Sequence, residues 1–107
     1  MHFNLAFVTA AVLSASSAMS ATIIGFAGAD CTGTANSPFI VPANFCGTFG
    51  GKSFRSIQYS GVPKSIQFYE SGGGHDSCTN GSQLTRGAGS GCANAPTGFN
   101  WESVLVE

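Results

Sequence analysis

Four cysteines carry the clearest chemistry in this chain: Cys31, Cys46, Cys78 and Cys92. An even number of cysteines in a short exported chain is typical of a disulfide framework. A structural zinc site needs close pairs of ligands, and no two of these cysteines are close in sequence. We therefore predict two disulfide bonds, and neither a metal ion nor another cofactor.

Residues suited to acid–base or nucleophilic catalysis are few and scattered. His75 is the only histidine beyond position 2, and adjacency alone does not let Asp76 orient it as a catalytic triad requires. The carboxylates available for a glycosidase-type pair are Asp30, Glu70, Asp76 and Glu102. We interpret the GGGHDS segment as a polar hairpin tip and predict that the protein is not an enzyme.

The sequence predicts a surface with few charged side chains. Four Lys/Arg and five Asp/Glu give a net charge of −1, which excludes nucleic-acid binding because that binding depends on neutralising several phosphates. The cations form no basic stripe for anionic lipid: they are Lys52, Arg55, Lys64 and Arg86. Asn80 begins an Asn-Gly-Ser sequon, so we predict a glycosylation site on a loop.

The amino-terminal segment predicts export. Residues 1–20 contain no Lys, Arg, Asp or Glu, are apolar from Phe3 to Leu13 and then become small. This pattern is typical of a secretory signal peptide and is too short for a membrane span. We expect cleavage after Ser20, with cleavage after Ala18 as the alternative. The prediction is a secreted, extracellular protein of one domain, 21–107, with no integral membrane segment.

The mature chain partly repeats itself after 47 positions. This shift places Cys31 on Cys78 and aligns FRSIQY, which begins at Phe54, with WESVLV, which begins at Trp101. A first half of about 21–62 therefore corresponds to a second half of about 63–107. Repeats of this length usually mark stacked supersecondary units. Trp101 is either a core residue, as its match with Phe54 favours, or an exposed platform for stacking a sugar.

The elements that must position these residues are strands. TIIGF, SFRSIQYS, SIQFYE and WESVLVE are short and rich in β-branched and aromatic residues, and the last three alternate with a period of two. Fifteen glycines punctuate the chain, and we place loops at Pro38, Pro42, Pro63 and Pro96. The prediction is an all-β domain of two four-stranded units packed face to face.

The repeat also bears on the disulfide pairing. Pairing within each half gives Cys31–Cys46 and Cys78–Cys92, closing loops of about 15 residues worth roughly 3 kcal/mol each in the chain-entropy model. Pairing between halves, such as Cys31–Cys78, would instead lock the two units together. We expect the pairing within each half.

These residues resemble a known superfamily. The pattern I-x-F-Y, a Gly-rich turn, C-x-G, and a closing strand with Ser before Ile or Val is similar to the βγ-crystallin-like Greek key. It looks closer still to small secreted cysteine-rich proteins of fungi and to killer-toxin-like members. The matching residues are Ile24, Phe26, Cys31, Gly33, Ser56, Ile57 and Tyr59, then Ile66, Phe68, Tyr69, Cys78, Gly81, Ser103, Val104 and Val106.

The resemblance implies a disulfide-stabilised crystallin-like β-sandwich of two Greek-key motifs. It also implies that Ser56 and Ser103 pin the folded hairpin of each motif, since a buried hydroxyl needs a hydrogen-bond partner. Many members bind Ca²⁺ through Asn or Asp four and five residues before that serine. Here those positions are Gly51, Lys52, Gly98 and Phe99. None offers a side-chain oxygen, so the calcium function is not expected.

The function expected from these features is binding rather than catalysis. We expect a small secreted monomer that acts on a protein, cell-wall or surface partner as an antimicrobial, toxin-like or host-directed effector. The alternative is a carbohydrate-binding or wall-associated structural module.

Overall fold

The computed structural model describes residues 19–72 and 77–107, and six strands account for most of them. The strands are β1 (Ser20–Phe26), β2 (Phe39–Pro42), β3 (Phe45–Thr48), β4 (Ser56–Glu70), β5 (Leu84–Asn94) and β6 (Trp101–Val106). A single turn of 3₁₀ helix, Ala29–Cys31, follows β1. The described residues contain no α-helix, so the all-β prediction is confirmed.

The strands form where alternate side chains can be buried. In β1 every second residue is buried, starting from Ala21, as expected where one face of a strand covers a core. Around Phe68 in β4 and Val104 in β6 the side chains reach complete burial. Among the described residues no helix has the length and apolarity needed to span a membrane.

The strands join in one antiparallel network centred on β4. The order along the sheet is β2-β1-β4-β6-β3, and β5 pairs with β4 outside that path. The first part of β4 pairs with β1, and its last part pairs with β6. Because β4 crosses the boundary between the two halves of the sequence, one strand belongs to both.

The loop predicted at Pro63 is absent, because Pro63 lies inside β4. The register between β4 and β5 shifts on both sides of the Val62–Gly89 pair, and Pro63 has no partner in the ladder. A proline at such an irregularity costs no ladder hydrogen bond, since no N–H is required there. Pro42 likewise lies at the end of edge strand β2 and not in a loop.

The pairing of β1 with β4 has a counterpart in the second half. Ile23 lies opposite Tyr59, just as Ile66 lies opposite Val106. The next inward-facing pairs also correspond, with Gly25 opposite Ile57 and Phe68 opposite Val104. The two halves therefore use the same register.

Each half also lends a strand to the other. Ser56 of the first half lies opposite Asn94 in β5, and Ser103 of the second half lies opposite Thr48 in β3. The closing strand of each half is thus flanked by a strand from the opposite half. The halves are joined through backbone hydrogen bonds as well as through side-chain packing.

One apolar core draws on both halves. The fully buried large side chains include Trp101, Phe68, Ile23, Ile57 and Ile66. Phe68 packs against Trp101 with ring centroids 5.4 Å apart. In the first half, the position that corresponds to Phe68 in the strand register is Gly25, and a Cβ there would lie 2.5 Å from the Phe54 ring. Core volume is therefore distributed differently in the two halves.

Candidate functional site

The disulfides are Cys31–Cys92 and Cys46–Cys78, with Cα–Cα distances of 6.1 and 6.0 Å. The prediction that these cysteines form two disulfides is confirmed, and the prediction of pairing within each half is wrong. The physical reason is the strand exchange, which places Cys92 beside the first half's closing strand and Cys46 beside the second half's. Cys31 and Cys78 each follow the first turn of their half. Each is therefore bonded to a cysteine on the strand from the opposite half that pairs with the closing strand of its own half.

Two buried serines fix the turns that carry Cys31 and Cys78. Ser56 Oγ accepts a hydrogen bond from the Cys31 N–H at 2.9 Å and donates to the Gly28 carbonyl at 2.6 Å. Ser103 Oγ accepts from the Cys78 N–H at 3.0 Å. Both serines are completely buried. The sequence points to these two hydroxyls, and the structure places them at equivalent turns.

Both of these cysteines adopt a backbone conformation that L residues usually avoid. The φ angles are 55° at Cys31 and 56° at Cys78, in the left-handed region that costs roughly 1–2 kcal/mol for a residue with a side chain. The serine hydrogen bonds and the disulfides offset this cost at both turns.

Trp101 lies in the core and not on the surface. Its side chain is completely buried, and its indole N–H donates to the Ala93 carbonyl at 3.0 Å. A ring in this position offers no face for stacking a sugar. Phe99, two residues earlier, is instead half exposed.

The candidate catalytic acids have separate surroundings. Asp30 is exposed and exchanges two hydrogen bonds with the side chain of Asn94, whereas Glu102 is buried within β6. Glu70 ends β4, and its N–H donates to Gln83 Oε1 at 2.8 Å. His75 and Asp76 lie outside the described residues. The described ranges contain no group of three or more His, Cys, Asp or Glu arranged to hold a metal ion.

The predicted glycosylation site and the positions compared with calcium ligands are exposed. Asn80 lies in an exposed turn with φ 64° and is followed by Gly81 with φ 85°. Gly51 and Gly98, at the positions compared with calcium ligands, have nearly equal φ angles of 88° and 87°. Glycine meets this backbone demand at no steric cost.

Tyr69 belongs to a small polar cluster at the end of β4. Its hydroxyl donates to Gln67 Oε1 at 2.9 Å, and Glu107 accepts a hydrogen bond from Ser65 Oγ at 3.1 Å. Burial of Tyr69 raises the pKa of its phenol, and the nearby Glu107 carboxylate raises it further. The Tyr69 phenol therefore favours its neutral, hydrogen-bonding form.

The sequence does not point to an open groove beside the Cys31–Cys92 disulfide. The groove has a volume of about 530 Å³ and is lined by the two cysteines together with Gln58, Tyr59, Ser60, Ser90 and Gly91. Gln58 and Ser60 are two residues apart on β4, so their side chains project from the same face of the strand. This spacing of polar residues is the one sequence signal that indicates an outward polar face. Nothing in the sequence indicates that β5 would bring Ser90 and Gly91 beside them.

Several large apolar side chains also remain at the surface. Ile40 and Phe45 are each more than half exposed. Ile40 lies on β2 and Phe45 on β3, the strands at the two ends of the sheet order. These side chains are available for contact with another molecule.

The fold and these features define a small all-β domain held by two disulfides. No protein-family model, no curated protein and no solved structure matches the chain.

Proposed function

We propose that this chain is a crystallin-like pair of Greek-key motifs that exchange one strand each. The proposal is supported by the common register of the two halves and by the flanking of each closing strand by the opposite half. It is further supported by the paired Ser56 and Ser103 hydrogen bonds. The two motifs then form the two layers of a β-sandwich with one shared core.

We infer that the protein is secreted and acts without catalysis, by binding a partner or surface as an antimicrobial, toxin-like or host-directed effector. The observation that carries this inference is the disulfide pattern. Two disulfides join the two halves, and disulfides form and persist mainly where thiols stay oxidised, as outside the cell. A domain of this size gains from such cross-links because its core alone supplies little stability.

The surface supports a binding role. Ile40 and Phe45 are 66% and 61% exposed, so they contribute little to the core and keep most of their apolar area for a partner. Exposed aromatic side chains are favoured anchors in protein interfaces. The partner suggested by these residues is a protein or an apolar surface.

A second candidate is a carbohydrate-binding or wall-associated module. The observation that favours it is the groove at Gln58, whose polar lining is neutral. Few precisely placed polar groups in a concavity are typical of small-ligand sites.

Secretion and binding are tested with the full-length chain expressed in a eukaryotic secretory host. We expect protein in the medium, beginning near Ala21, with no free thiol, and a fluorescent conjugate that labels intact target cells. Ile40→Ser with Phe45→Ser should reduce the labelling, while Thr48→Ala, an exposed change on β3, should not. Retention inside the cell would contradict the secretion proposal. Labelling that the double variant leaves intact would contradict the role of the apolar side chains.

A further inference from the structure

Strand β5 has a free edge. It pairs with β4 along one side only. Within the described ranges, the main chain from Thr85 to Cys92 forms no hydrogen bond outside that ladder. Residues 85–90 are also exposed. The backbone N–H and C=O groups on the outer side of β5 are therefore available to another strand.

The other two edges of the described sheet are short. β2 and β3 lie at the ends of the strand order and have four residues each, and β2 ends in Pro42. Short edge strands and proline limit pairing with other molecules. β5 has eleven residues, no proline and one charged side chain, that of Arg86. It is therefore the edge on which a further strand can pair over several residues.

The ladder geometry shows which groups face outward in the second part of β5. In an antiparallel pair, alternate residues direct both backbone groups toward the partner strand. The Ala95 N–H donates to the Arg55 carbonyl at 2.9 Å, so by alternation Gly91 also faces β4. Its neighbours Ser90 and Cys92 therefore direct their backbone groups away from β4.

The same reasoning applies to the first part of β5. The Ser65 N–H donates to the Glu107 carbonyl at 2.9 Å, and the Glu107 N–H donates to the Ser65 carbonyl at 2.7 Å. Ser65 therefore faces away from β5, and its neighbour Ile66 faces β5. Because Arg86 lies opposite Ile66, Arg86 faces β4. The residues on either side of Arg86 then face outward.

The outward-facing positions form a pattern that matches itself. They are Thr85, Gly87, Ser90 and Cys92, spaced two, three and two residues apart. The longer step contains Gly89, where the ladder is irregular and φ is 107°. Because the spacing is the same in both directions, two antiparallel β5 strands can pair Gly87 with Ser90 and Thr85 with Cys92. A twofold axis would repeat each pair of bonds.

The side chains of β5 permit this approach. Residues 87–91 are Gly, Ala, Gly, Ser and Gly. In the matching register Arg86 lies opposite Gly91 of the second copy, so the two guanidinium groups do not face each other. Like charges directly opposite would destabilise the pair.

The surroundings of β5 favour a second copy over a foreign peptide. A Cβ at Gly87 or Gly89 would meet no atom within 4 Å, so open space and not a side-chain pocket flanks the strand there. Where a peptide adds to a sheet edge, pockets for its side chains give specificity. An edge without pockets selects little by sequence, whereas a second β5 brings the matching pattern of backbone groups.

We propose that this chain forms a homodimer in which the β5 strands of two copies pair antiparallel through the backbone groups of Thr85, Gly87, Ser90 and Cys92. The inference goes beyond the binding role proposed above and replaces the monomer expected from the sequence. The dimer leaves Ile40 on β2 free in both copies, so it would present the proposed binding surface twice.

Sedimentation equilibrium of the mature, disulfide-bonded protein measures the dimer. Since few side chains enter the interface, the dimer should be weak, and the protein is studied up to millimolar concentration. Ala88→Lys places two ammonium groups beside the twofold axis and should raise the dissociation constant roughly tenfold or more. Thr48→Lys adds the same charge at an exposed position of edge strand β3 and should not change it. Both variants should keep the wild-type melting temperature.

A mixture of two variants separates contact from damage to the fold. Ala88→Lys and Ala88→Glu should each dimerise poorly alone, because each repels its own copy. Mixed in equal amounts, they should form a dimer at least as tight as the wild type, because each pair then contains opposite charges. A mixture that stays as dissociated as its components would show that position 88 does not lie in the interface.

Amide hydrogen exchange followed by NMR tests the main-chain bonds. The amides of Thr85, Gly87 and Ser90 should gain protection as the protein concentration rises, whereas the Arg86 amide, which faces β4, should be protected throughout. This readout distinguishes strand pairing from contact through side chains alone.

Three results would overturn the inference. A protein that stays monomeric at millimolar concentration does not use β5 as a dimer edge. A dimer that Ala88→Lys leaves unchanged, with β5 amide exchange independent of concentration, uses another surface. If an unrelated extended peptide protects the β5 amides while no dimer forms, the edge accepts a foreign strand and the second copy is not its occupant. The proposed binding role stands in all three cases.

Discussion

Phe54 and Trp101 hold equivalent positions in the two halves and are bonded to each other. The Phe54 N–H donates to the Trp101 carbonyl at 3.0 Å, and the Trp101 N–H donates to the Phe54 carbonyl at 2.7 Å. This reciprocal pair of hydrogen bonds is that of an isolated antiparallel bridge. Two residues that align with each other in the sequence repeat are therefore in direct contact in the structure.

The first prediction concerns the buried side chain of Trp101. Trp101→Ala should lower the free energy of unfolding by about 3–5 kcal/mol, because it empties a completely buried site against Phe68. Phe99→Ala is the control, since Phe99 is 49% exposed and its loss should cost well under half as much. Urea unfolding followed by circular dichroism measures both. Equal costs for the two variants would show that Trp101 is not a core residue in solution.

The second prediction concerns the turn serines. Ser56→Ala and Ser103→Ala should each cost about 1–3 kcal/mol, because each leaves a cysteine N–H without its partner at a left-handed turn. Ser37→Ala, at an exposed position, is the control and should be close to neutral. Chemical denaturation gives the three values. A neutral Ser103→Ala beside a costly Ser56→Ala would contradict the equivalence of the two turns.

The third prediction concerns disulfide connectivity. A non-reduced digest should contain peptides that link Cys31 to Cys92 and Cys46 to Cys78, so every linked pair spans Pro63. Replacing both Cys31 and Cys92 by serine should cost roughly 2–5 kcal/mol and leave the second bond intact. Replacing Cys46 and Cys78 together is the matched comparison. Peptides that link Cys31 to Cys46 would refute the strand exchange as well as the pairing.

The sequence predicts the strands whose own residues favour β structure. β1, the two parts of β4, and β6 are rich in Ile, Val and aromatic residues, so local pattern identifies them. β5 contains LTRGAGSGCAN, in which only Thr85 is β-branched. That strand exists because β4 offers it a ladder along nearly its whole length, and such a tertiary cause is not visible in a local pattern.

The same dependence on tertiary structure explains why the sequence predicts neither the disulfide pairing nor the groove. Local loop closure favours Cys31–Cys46, whereas the true partner depends on which strand lies beside which. The groove likewise needs β5 next to β4 before Ser90 meets Gln58. By contrast, the resemblance to a Greek key implies a role for the hydroxyls of Ser56 and Ser103, and each accepts a hydrogen bond from a cysteine N–H 25 residues earlier.

The last prediction is a pH dependence that originates at Tyr69. An unfolded tyrosine loses its proton near pH 10. In the folded protein, burial and then the Glu107 carboxylate raise the pKa of the Tyr69 phenol. Between the unfolded and folded pKa values the folded state binds more protons than the unfolded state, so the free energy of unfolding falls as pH rises. The contribution is complete below about pH 10 and is lost as pH rises through the folded pKa.

Denaturant unfolding at intervals from neutral to strongly alkaline pH should therefore show a steeper alkaline decline in wild type than in Tyr69→Phe. Glu107→Gln should lie between them, because it removes only the smaller of the two causes. An alkaline decline of equal slope in wild type and Tyr69→Phe would show that the Tyr69 phenol does not cause it.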